Sequence, residues 1–226
     1  MCINFGFWHV FAAGIDDIRN EFIICCKKFK YNDAIVEKID KTICYKNHVD
    51  KICEAPLGEV LKYYCDLFRS NTGNCRVTSA YFSTRFDSEA IENREINVIL
   101  GRENMHTANL YKIGDKWYVA DFIMAIKHPQ NAAEVFAIPL ESFILSVGDS
   151  DTGKRALAFG VYNKTDRGGM DLGEFIPEIQ PLLSTHHFMV YVGSRTDMLI
   201  EVRPRLNSNS GMDFMTMFSQ IFFEGF

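Results

Sequence analysis

The 226-residue sequence lacks the cysteine patterns that bind zinc or build a disulfide framework. It contains no Cys-x-x-Cys pair and no paired histidine cluster of the zinc type. The seven cysteines are odd in number and none follows position 75, so disulfides would staple only one end of the chain. We interpret five of them as small apolar side chains of buried helix faces: Cys25, Cys26, Cys44, Cys53 and Cys65. Reduced thiols indicate a reducing compartment such as the cytosol.

The sequence also lacks a concentration of positive charge and a stretch that spans a membrane. The formal net charge is -5 and the pI is about 5.7, which argues against nucleic acid or an anionic membrane as the main partner. The apolar stretch at residues 1–15 has no basic n-region, and Asp16 closes it too early for a membrane-spanning helix. We expect this stretch to be a buried arm or the edge of a longer parent chain.

No cofactor motif is complete. Residues 148–154 match the first part of a phosphate-binding P-loop, but Arg155 stands where the Ser or Thr that binds the metal is needed. Adjacent residues on a strand point to opposite faces, so His186 and His187 do not form a metal-binding pair. We therefore expect neither a cofactor nor a metal ion.

Hydrophobic periodicity divides the chain into a helical part and a later part rich in strands. Helices are predicted over residues 15–29, 33–45, 57–68 and 75–86, with Asp33 as the N-cap of the second. Strands are predicted over residues 95–100, 106–113, 117–123, 156–162, 188–192 and 198–202. This order indicates an α+β fold with a mostly antiparallel sheet. We assign residues 1–70 to a helical part packed on an α+β core, residues 71–226, within one compact domain.

One cysteine differs from the others in its local setting. Cys75 follows the turn residues Gly73 and Asn74, and it stands in the first turn of the predicted fourth helix. The exposed N–H groups and the positive end of the helix dipole favour a thiolate at that position. The same N–H groups can hydrogen-bond an oxyanion. The sequence therefore predicts that Cys75 is a nucleophile.

A histidine and an aspartate are predicted to meet on a β-hairpin. His106 begins one strand, Gly114-Asp115 forms the tight turn, and Asp121 lies at the far end of the returning strand. Pairing about this turn places position 121 opposite position 108, close to His106 across the ladder. A carboxylate there can orient an imidazole and stabilise its charged form. Trp117 adds aromatic bulk beside the predicted site.

These residues resemble the motif of the transglutaminase-like branch of the papain-like cysteine enzymes. In that branch a cysteine opens a helix, a histidine lies on a strand and an aspartate lies on the next strand. The matching positions are Gly73-Asn74-Cys75 followed by Ala80, then His106, then residues 116–121. The separation of 15 positions from His106 to Asp121 is similar to that of transglutaminase-like proteins, arylamine N-acetyltransferases and bacterial effector deamidases. The resemblance covers residues 71–124.

The resemblance implies a papain-like core and a cysteine-dependent amide hydrolase that acts on a protein substrate. It makes Cys75 the nucleophile, His106 the proton carrier and Asp121 the group that orients it. The oxyanion would be bound by the Cys75 N–H and one side-chain donor, for which Asn74 and Asn71 are both candidates. Glutamine deamidation and peptide cleavage both fit. The resemblance favours an effector-type virulence protein, secreted by a bacterium and active in the host cytoplasm.

Two alternatives stay open. An acyltransferase of the arylamine type would use the same triad, although that family has a longer chain and an Arg-Gly-Gly context before its cysteine, where this chain has residues 70–74. A non-catalytic protein-interaction module with a degenerate triad is the other alternative. The strongly apolar C-terminal segment, residues 213–226, would then supply the partner surface. The reactivity of Cys75 separates an enzyme from an interaction module.

Overall fold

The computed structural model of the protein describes residues 6–99, 105–148, 158–162, 169–184, 190–192 and 199–201. It combines helices with mainly antiparallel strands, which confirms the α+β class. The chain forms two compact units, one of residues 1–95 and 108–139 and the other of residues 96–107 and 140–226. The apolar segment at residues 213–226, the pair His186-His187 and residues 149–154 lie outside the described residues.

The first unit is built mainly from helices. They are α1, Gly6–Cys26; α2, Asp33–Asn47; α3, Leu57–Arg69; α4, Cys75–Ser88; α5, Phe122–Lys127; and α6, Ala132–Val135. Two short 3-10 helices, Ile52–Glu54 and Pro129–Asn131, lie in the connections. Two short strands, β1 (Lys30–Tyr31) and β2 (Thr72–Gly73), pair in parallel. The four helices that periodicity predicts are therefore present.

Capping side chains explain where the second helix begins. The side-chain oxygen of Asn32 accepts a hydrogen bond of 3.1 Å from the N–H of Ile35, so Asn32 is the N-cap of α2. The prediction that Asp33 is the N-cap is therefore wrong by one position. Asp33 is instead an acidic residue of the first turn, where its charge interacts favourably with the helix dipole.

The hairpin of the first unit matches the predicted turn and register. Strand β4, Met105–Ile113, pairs antiparallel with β5, Lys116–Ala120, from Asn109 opposite Ala120 to Ile113 opposite Lys116. The turn residue Gly114 has φ +58°, a conformation that favours glycine. Continued by one residue, this register sets position 121 opposite position 108, as expected. Strand β6, Ile138–Pro139, pairs antiparallel with the other edge of β5.

One strand ends earlier than its sequence suggests. The prediction of a strand over residues 117–123 is wrong after position 120, because β5 ends at Ala120 and α5 begins at Phe122. Asp121 is the N-cap of α5, and its Oδ1 accepts a hydrogen bond of 3.0 Å from the N–H of Met124. The Asp121 side chain thus satisfies a backbone N–H in the first turn of α5. In a longer β5, the N–H groups after position 120 would need partners on a neighbouring strand.

Aromatic side chains form the centre of the first unit. Phe22 packs against Phe82, Phe122 and Phe136 with ring centroids 5.1–5.2 Å apart. The same buried cluster includes Phe29, Phe68, Tyr81, Phe86 and Tyr111. Because α1, α3, α4 and α5 all contribute rings, burial of this cluster joins the helices of the unit.

Hydrogen bonds as well as apolar contacts join α4 to β4. The side-chain amide Nδ2 of Asn109 donates to the backbone oxygen of Ser79 and to Oγ of Ser83, both at 2.9 Å. Ser79 Oγ donates to the backbone oxygen of Ala108 at 3.4 Å. All of these groups are buried, so the bonds are shielded from water.

The second unit contains shorter elements. They are α7, Leu140–Gly148; β7, Ala158–Tyr162; β8, Gly169–Asp171; α8, Leu172–Phe175; a 3-10 helix, Pro177–Ile179; α9, Gln180–Ser184; β9, Val190–Val192; and β10, Leu199–Glu201. Strands β7 and β8 pair antiparallel, as do β9 and β10. The chain passes between the units within β3, Asn93–Ile99, and within β4. Across the described ranges, no helix has both the length and the apolar character needed to cross a bilayer.

Tyr111 makes the stability of the first unit sensitive to high pH. Its side chain is fully buried and its hydroxyl donates to the backbone oxygen of Phe136 at 2.9 Å. Burial, and secondarily the charge of Tyr118, raise the pKa of Tyr111 above its ordinary value. The neutral phenol is therefore favoured in the folded state, and its contribution to stability is lost as the pH rises above about 10, where the unfolded chain ionises first.

We expect Tyr111→Phe to lower the free energy of unfolding by about 1 kcal/mol at pH 7, because the carbonyl of Phe136 loses its donor. The variant should also lose stability less steeply than the wild type above pH 10. Urea denaturation at pH 7, 10 and 10.5 measures both effects. Tyr45→Phe is the control, since that side chain is 85% exposed. Equal pH slopes for wild type and Tyr111→Phe would contradict the assignment.

Candidate active site

Cys75 occupies the position that the sequence predicts for it. It is the first residue of the 14-residue helix α4, and its side chain is 8% exposed. The chain enters α4 through Gly73, whose φ is +149°. A Cβ at that position would lie 2.6 Å from Cγ1 of Val77. Only glycine fits both the conformation and the space. The thiol therefore begins the helix directly after a turn that other residues cannot form without strain.

Asn74 is the N-cap of α4, and its side chain engages two backbone N–H groups in the first turn of that helix. Its side-chain Oδ1 accepts hydrogen bonds from the N–H groups of Arg76 and Val77 at 3.0 and 3.3 Å. The cap therefore engages the first-turn N–H groups of Arg76 and Val77, and the donors that the sequence names, the Cys75 N–H with Asn74 or Asn71, stay predictions.

The amide nitrogen of Asn74 points towards a carboxylate on the neighbouring helix. Asn74 is 6% exposed, and its Nδ2 donates to Oδ1 of Asp33 at 2.9 Å. The hydroxyl of Tyr31 donates to the same oxygen at 3.1 Å. An amide nitrogen carries two hydrogens, and the described contacts of Asn74 use one of them. The role predicted for Asn74 as a side-chain donor to an oxyanion stays a prediction.

A cation follows the thiol directly in the chain. Arg76 donates from a terminal guanidinium nitrogen to Oδ2 of Asp40 at 2.7 Å, and the hydroxyl of Tyr64 donates to the other oxygen of Asp40 at 2.8 Å. Burial lowers the pKa of Arg76, but Tyr64, Asp40 and Cys75 outweigh it, so the pKa is raised overall. The interaction is mutual, and the guanidinium therefore favours the thiolate form of Cys75.

The two other members of the predicted triad lie in different units. Asp121 belongs to the first unit, with Cys75, and is 5% exposed. Besides capping α5, it donates its backbone N–H to the oxygen of Val135 at 3.2 Å. His106 belongs to the second unit, where it is the second residue of β4 and is partly buried. The roles predicted for His106 and Asp121 stay predictions.

The remaining predicted site residues have contacts of other kinds. Asn71 is exposed with φ +54°, and its backbone groups bond to Phe68 and Lys30. Trp117 stands opposite Lys112 near the hairpin turn, with the Lys112 Nζ 5.5 Å from a ring centroid. At about 3.3 Å per residue, Trp117 is roughly 13 Å along the chain from Asp121. Of the two asparagines, Asn74 is the one that is both buried and adjacent to Cys75.

The structure adds residues that the sequence does not assign to the site: Tyr31, Asp33, Asp40, Tyr64 and Arg76. Only Arg76 has a sequence signal, because it adjoins Cys75. The others come together through the parallel pairing of β1 with β2 and the packing of three helices. Within the part of the chain that the structure describes, His, Cys, Asp and Glu side chains form no group of three or more that could hold a metal ion.

Comparison of the chain with protein-family models, curated proteins and solved structures found no match.

Proposed function

We propose that the protein is a cysteine-dependent amide hydrolase with a papain-like core, in which Cys75 is the nucleophile. The observation that carries the proposal is the setting of this thiol at the first position of a capped helix, next to the Arg76 guanidinium. A helix N-terminus and a nearby cation both stabilise a thiolate, which is the reactive form. Of the other described buried thiols, Cys65 lies within α3 and Cys26 is the last residue of α1, so neither begins its helix.

Substrate cleavage would follow the chemistry of a thiol nucleophile. The Cys75 thiol passes its proton to His106, and the thiolate attacks the carbonyl carbon of an amide. The tetrahedral oxyanion accepts hydrogen bonds from the Cys75 N–H and from the side-chain amide of Asn74. The C–N bond breaks as His106 gives a proton to the leaving nitrogen. Water then attacks the thioester, its proton passes to His106, and the acid leaves. The roles of His106, and of Asp121 as its orienting group, rest on their order and spacing in the sequence.

The class of substrate and the place of action follow from the resemblance to transglutaminase-like enzymes. The substrate is a protein amide, either a glutamine side chain or a peptide bond, because both form the same acyl-enzyme. The protein is of the effector type and acts in a reducing cytosol, that of a host cell. Five cysteines of the described residues are not in disulfides, which supports a reducing compartment.

Brief labelling with substoichiometric iodoacetamide at pH 6.5 tests the proposal. Cys65 is the internal control, since it and Cys75 are each 8% exposed and burial alone predicts equal labelling. We expect Cys75 to react at least about tenfold faster than Cys65, because a stabilised thiolate raises the reactive fraction at this pH. Peptide mass spectrometry of the wild type measures the ratio. Cys25 and Cys26, whose thiol pKa values are raised chiefly by burial, should stay unlabelled.

Two variants complete the test. Cys75→Ser should remove the fast label without moving it to another thiol, and His106→Ala should slow the labelling of Cys75. Equal labelling of Cys75 and Cys65 in the wild type would overturn the hydrolase proposal. It would instead favour the non-catalytic interaction module that the sequence left open.

A further inference from the structure

Tyr31 lies next to the turn that presents Cys75. In the parallel pair of β1 and β2, Tyr31 is the partner of Gly73, two positions before the cysteine. The N–H of Asn32 donates to the backbone oxygen of Gly73 at 2.8 Å, which fixes the two segments side by side. The Tyr31 side chain is 50% exposed, so one side of its ring faces solvent.

Tyr31 and Asn74 share one acceptor, Oδ1 of Asp33, at 3.1 and 2.9 Å. Two donors on one oxygen spread the negative charge of the carboxylate and reduce its effect on nearby groups. The plane of the Asn74 amide is fixed by bonds at both of its ends. Its Nδ2 donates to Asp33, and its Oδ1 accepts from the N–H groups of Arg76 and Val77. The direction of the second Asn74 N–H is thus set by the contact with Asp33.

The titratable groups that the structure links to Cys75 and to its neighbours Asn74 and Arg76 lie on β1, α2, α3 and α4. Tyr31 on β1 interacts with Cys75 directly: burial raises the pKa of Tyr31, and the charge of Cys75 and then the contact with Asp33 raise it further, while Arg76 lowers it. Asp33 and Asp40 lie on α2, with Asp40 neutralised by Arg76 and hydrogen-bonded by Tyr64. Of Asp33 and Asp40, Asp33 is the one whose described hydrogen bonds come from neutral donors, and Asp40 is paired with a cation.

We propose that Tyr31 is a positioning residue of the Cys75 site, where its hydroxyl shares the Asp33 carboxylate with Asn74 and so moderates the charge beside the thiol and holds the Asn74 amide. This inference rests on the proposed function, because it assigns Tyr31 a role in the same reaction. Without the hydroxyl, the carboxylate would act more strongly on Cys75, and the thiolate would form at higher pH. Without the charge of Asp33, the thiolate would form at lower pH.

The test is the pH dependence of Cys75 alkylation by iodoacetamide in the wild type, Tyr31→Phe and Asp33→Asn. We expect the midpoint for Tyr31→Phe to rise by about 0.5–1 pH unit, as a charge a few ångströms away would cause, and its rate at pH 6.5 to fall about three- to tenfold. The midpoint for Asp33→Asn should fall. A merely structural role would not move the two midpoints in opposite directions. Asp33→Asn keeps the side-chain shape, so it serves even where Tyr31→Phe is less stable.

The outcomes separate this inference from the proposed function. Unchanged midpoints in both variants, with Cys75 still the fast thiol, would overturn the role of Tyr31 and leave the hydrolase proposal standing. Shifts in the same direction in both variants would also overturn it. A wild-type Cys75 that reacts no faster than Cys65 would overturn both proposals. Opposite shifts would support both.

Discussion

Replacing Gly73 with alanine is expected to lower the free energy of unfolding by about 2–4 kcal/mol and to slow the alkylation of Cys75. The backbone at Gly73 has φ +149°, which a residue with a side chain rarely adopts. The added Cβ would also lie 2.6 Å from Cγ1 of Val77 and 2.7 Å from its Cβ. Val77 is fully buried, so it has no free space into which to move.

Gly58→Ala is the matched control for this change. Gly58 lies in α3, and a Cβ there would have no atom within 4 Å. Because alanine is the better helix former, this substitution should raise the free energy of unfolding by up to about 1 kcal/mol. Urea denaturation of both variants measures the difference, and iodoacetamide labelling reports on Cys75. A Gly73→Ala protein as stable as the wild type would show that the turn before Cys75 is not strained by a side chain.

Asp121→Asn is expected to keep the fold and to slow acylation of Cys75 by a factor on the order of 10². Asparagine caps a helix about as well as aspartate, so the bond from the N–H of Met124 is retained. The amide cannot stabilise a charged imidazole, however, and the proposed pairing with His106 would be lost. The burst of p-nitrophenolate from p-nitrophenyl acetate measures acylation, and urea denaturation measures stability.

Asp121→Ala separates the two roles of the carboxylate. It removes the cap as well as the charge, so it should lower the free energy of unfolding by about 1–2 kcal/mol and slow the burst as Asp121→Asn does. Both variants need comparison with Cys75→Ser, which should give no burst. If Asp121→Asn gives a burst at the wild-type rate, Asp121 is a helix cap only, and the predicted triad is wrong.

The sequence predicts the helices well because strong local signals mark them. The apolar spacing in α2 and α3, Pro56 before α3 and the Gly73-Asn74 turn before α4 all act over a few residues. The register of the hairpin follows in the same way from the two-residue turn at Gly114. Local chemistry at these points agrees with the packing of the whole unit.

The residues around Cys75 could not be predicted because they depend on contacts between distant segments. Tyr31 and Asp33 reach Asn74 across some forty positions, through two strands of only two residues each. Such short strands have no periodicity to detect. The end of β5 is not predicted for another reason: residues that favour strands, Val119, Phe122 and Ile123, stand on both sides of it. An aspartate before Phe122 and Ile123 is also an N-cap signal, and the helix follows that signal.

The bonds from Asn109 to Ser79 and Ser83 have a consequence for the nucleophile that is independent of its electrostatics. A purely apolar contact between a helix and a sheet allows the helix to shift along its axis, because one apolar side chain can replace another at a small cost in free energy. Directional hydrogen bonds instead fix the position of α4 along its axis relative to β4. A shift of α4 by one turn, about 5.4 Å, would break all of them. Cys75 lies four residues before Ser79 on the same helix, or about 6 Å along its axis. The bonds at Ser79 therefore also fix the position of Cys75 along the helix axis relative to β4. Core substitutions elsewhere on α4 should therefore alter its stability before they shift the thiol along the sheet.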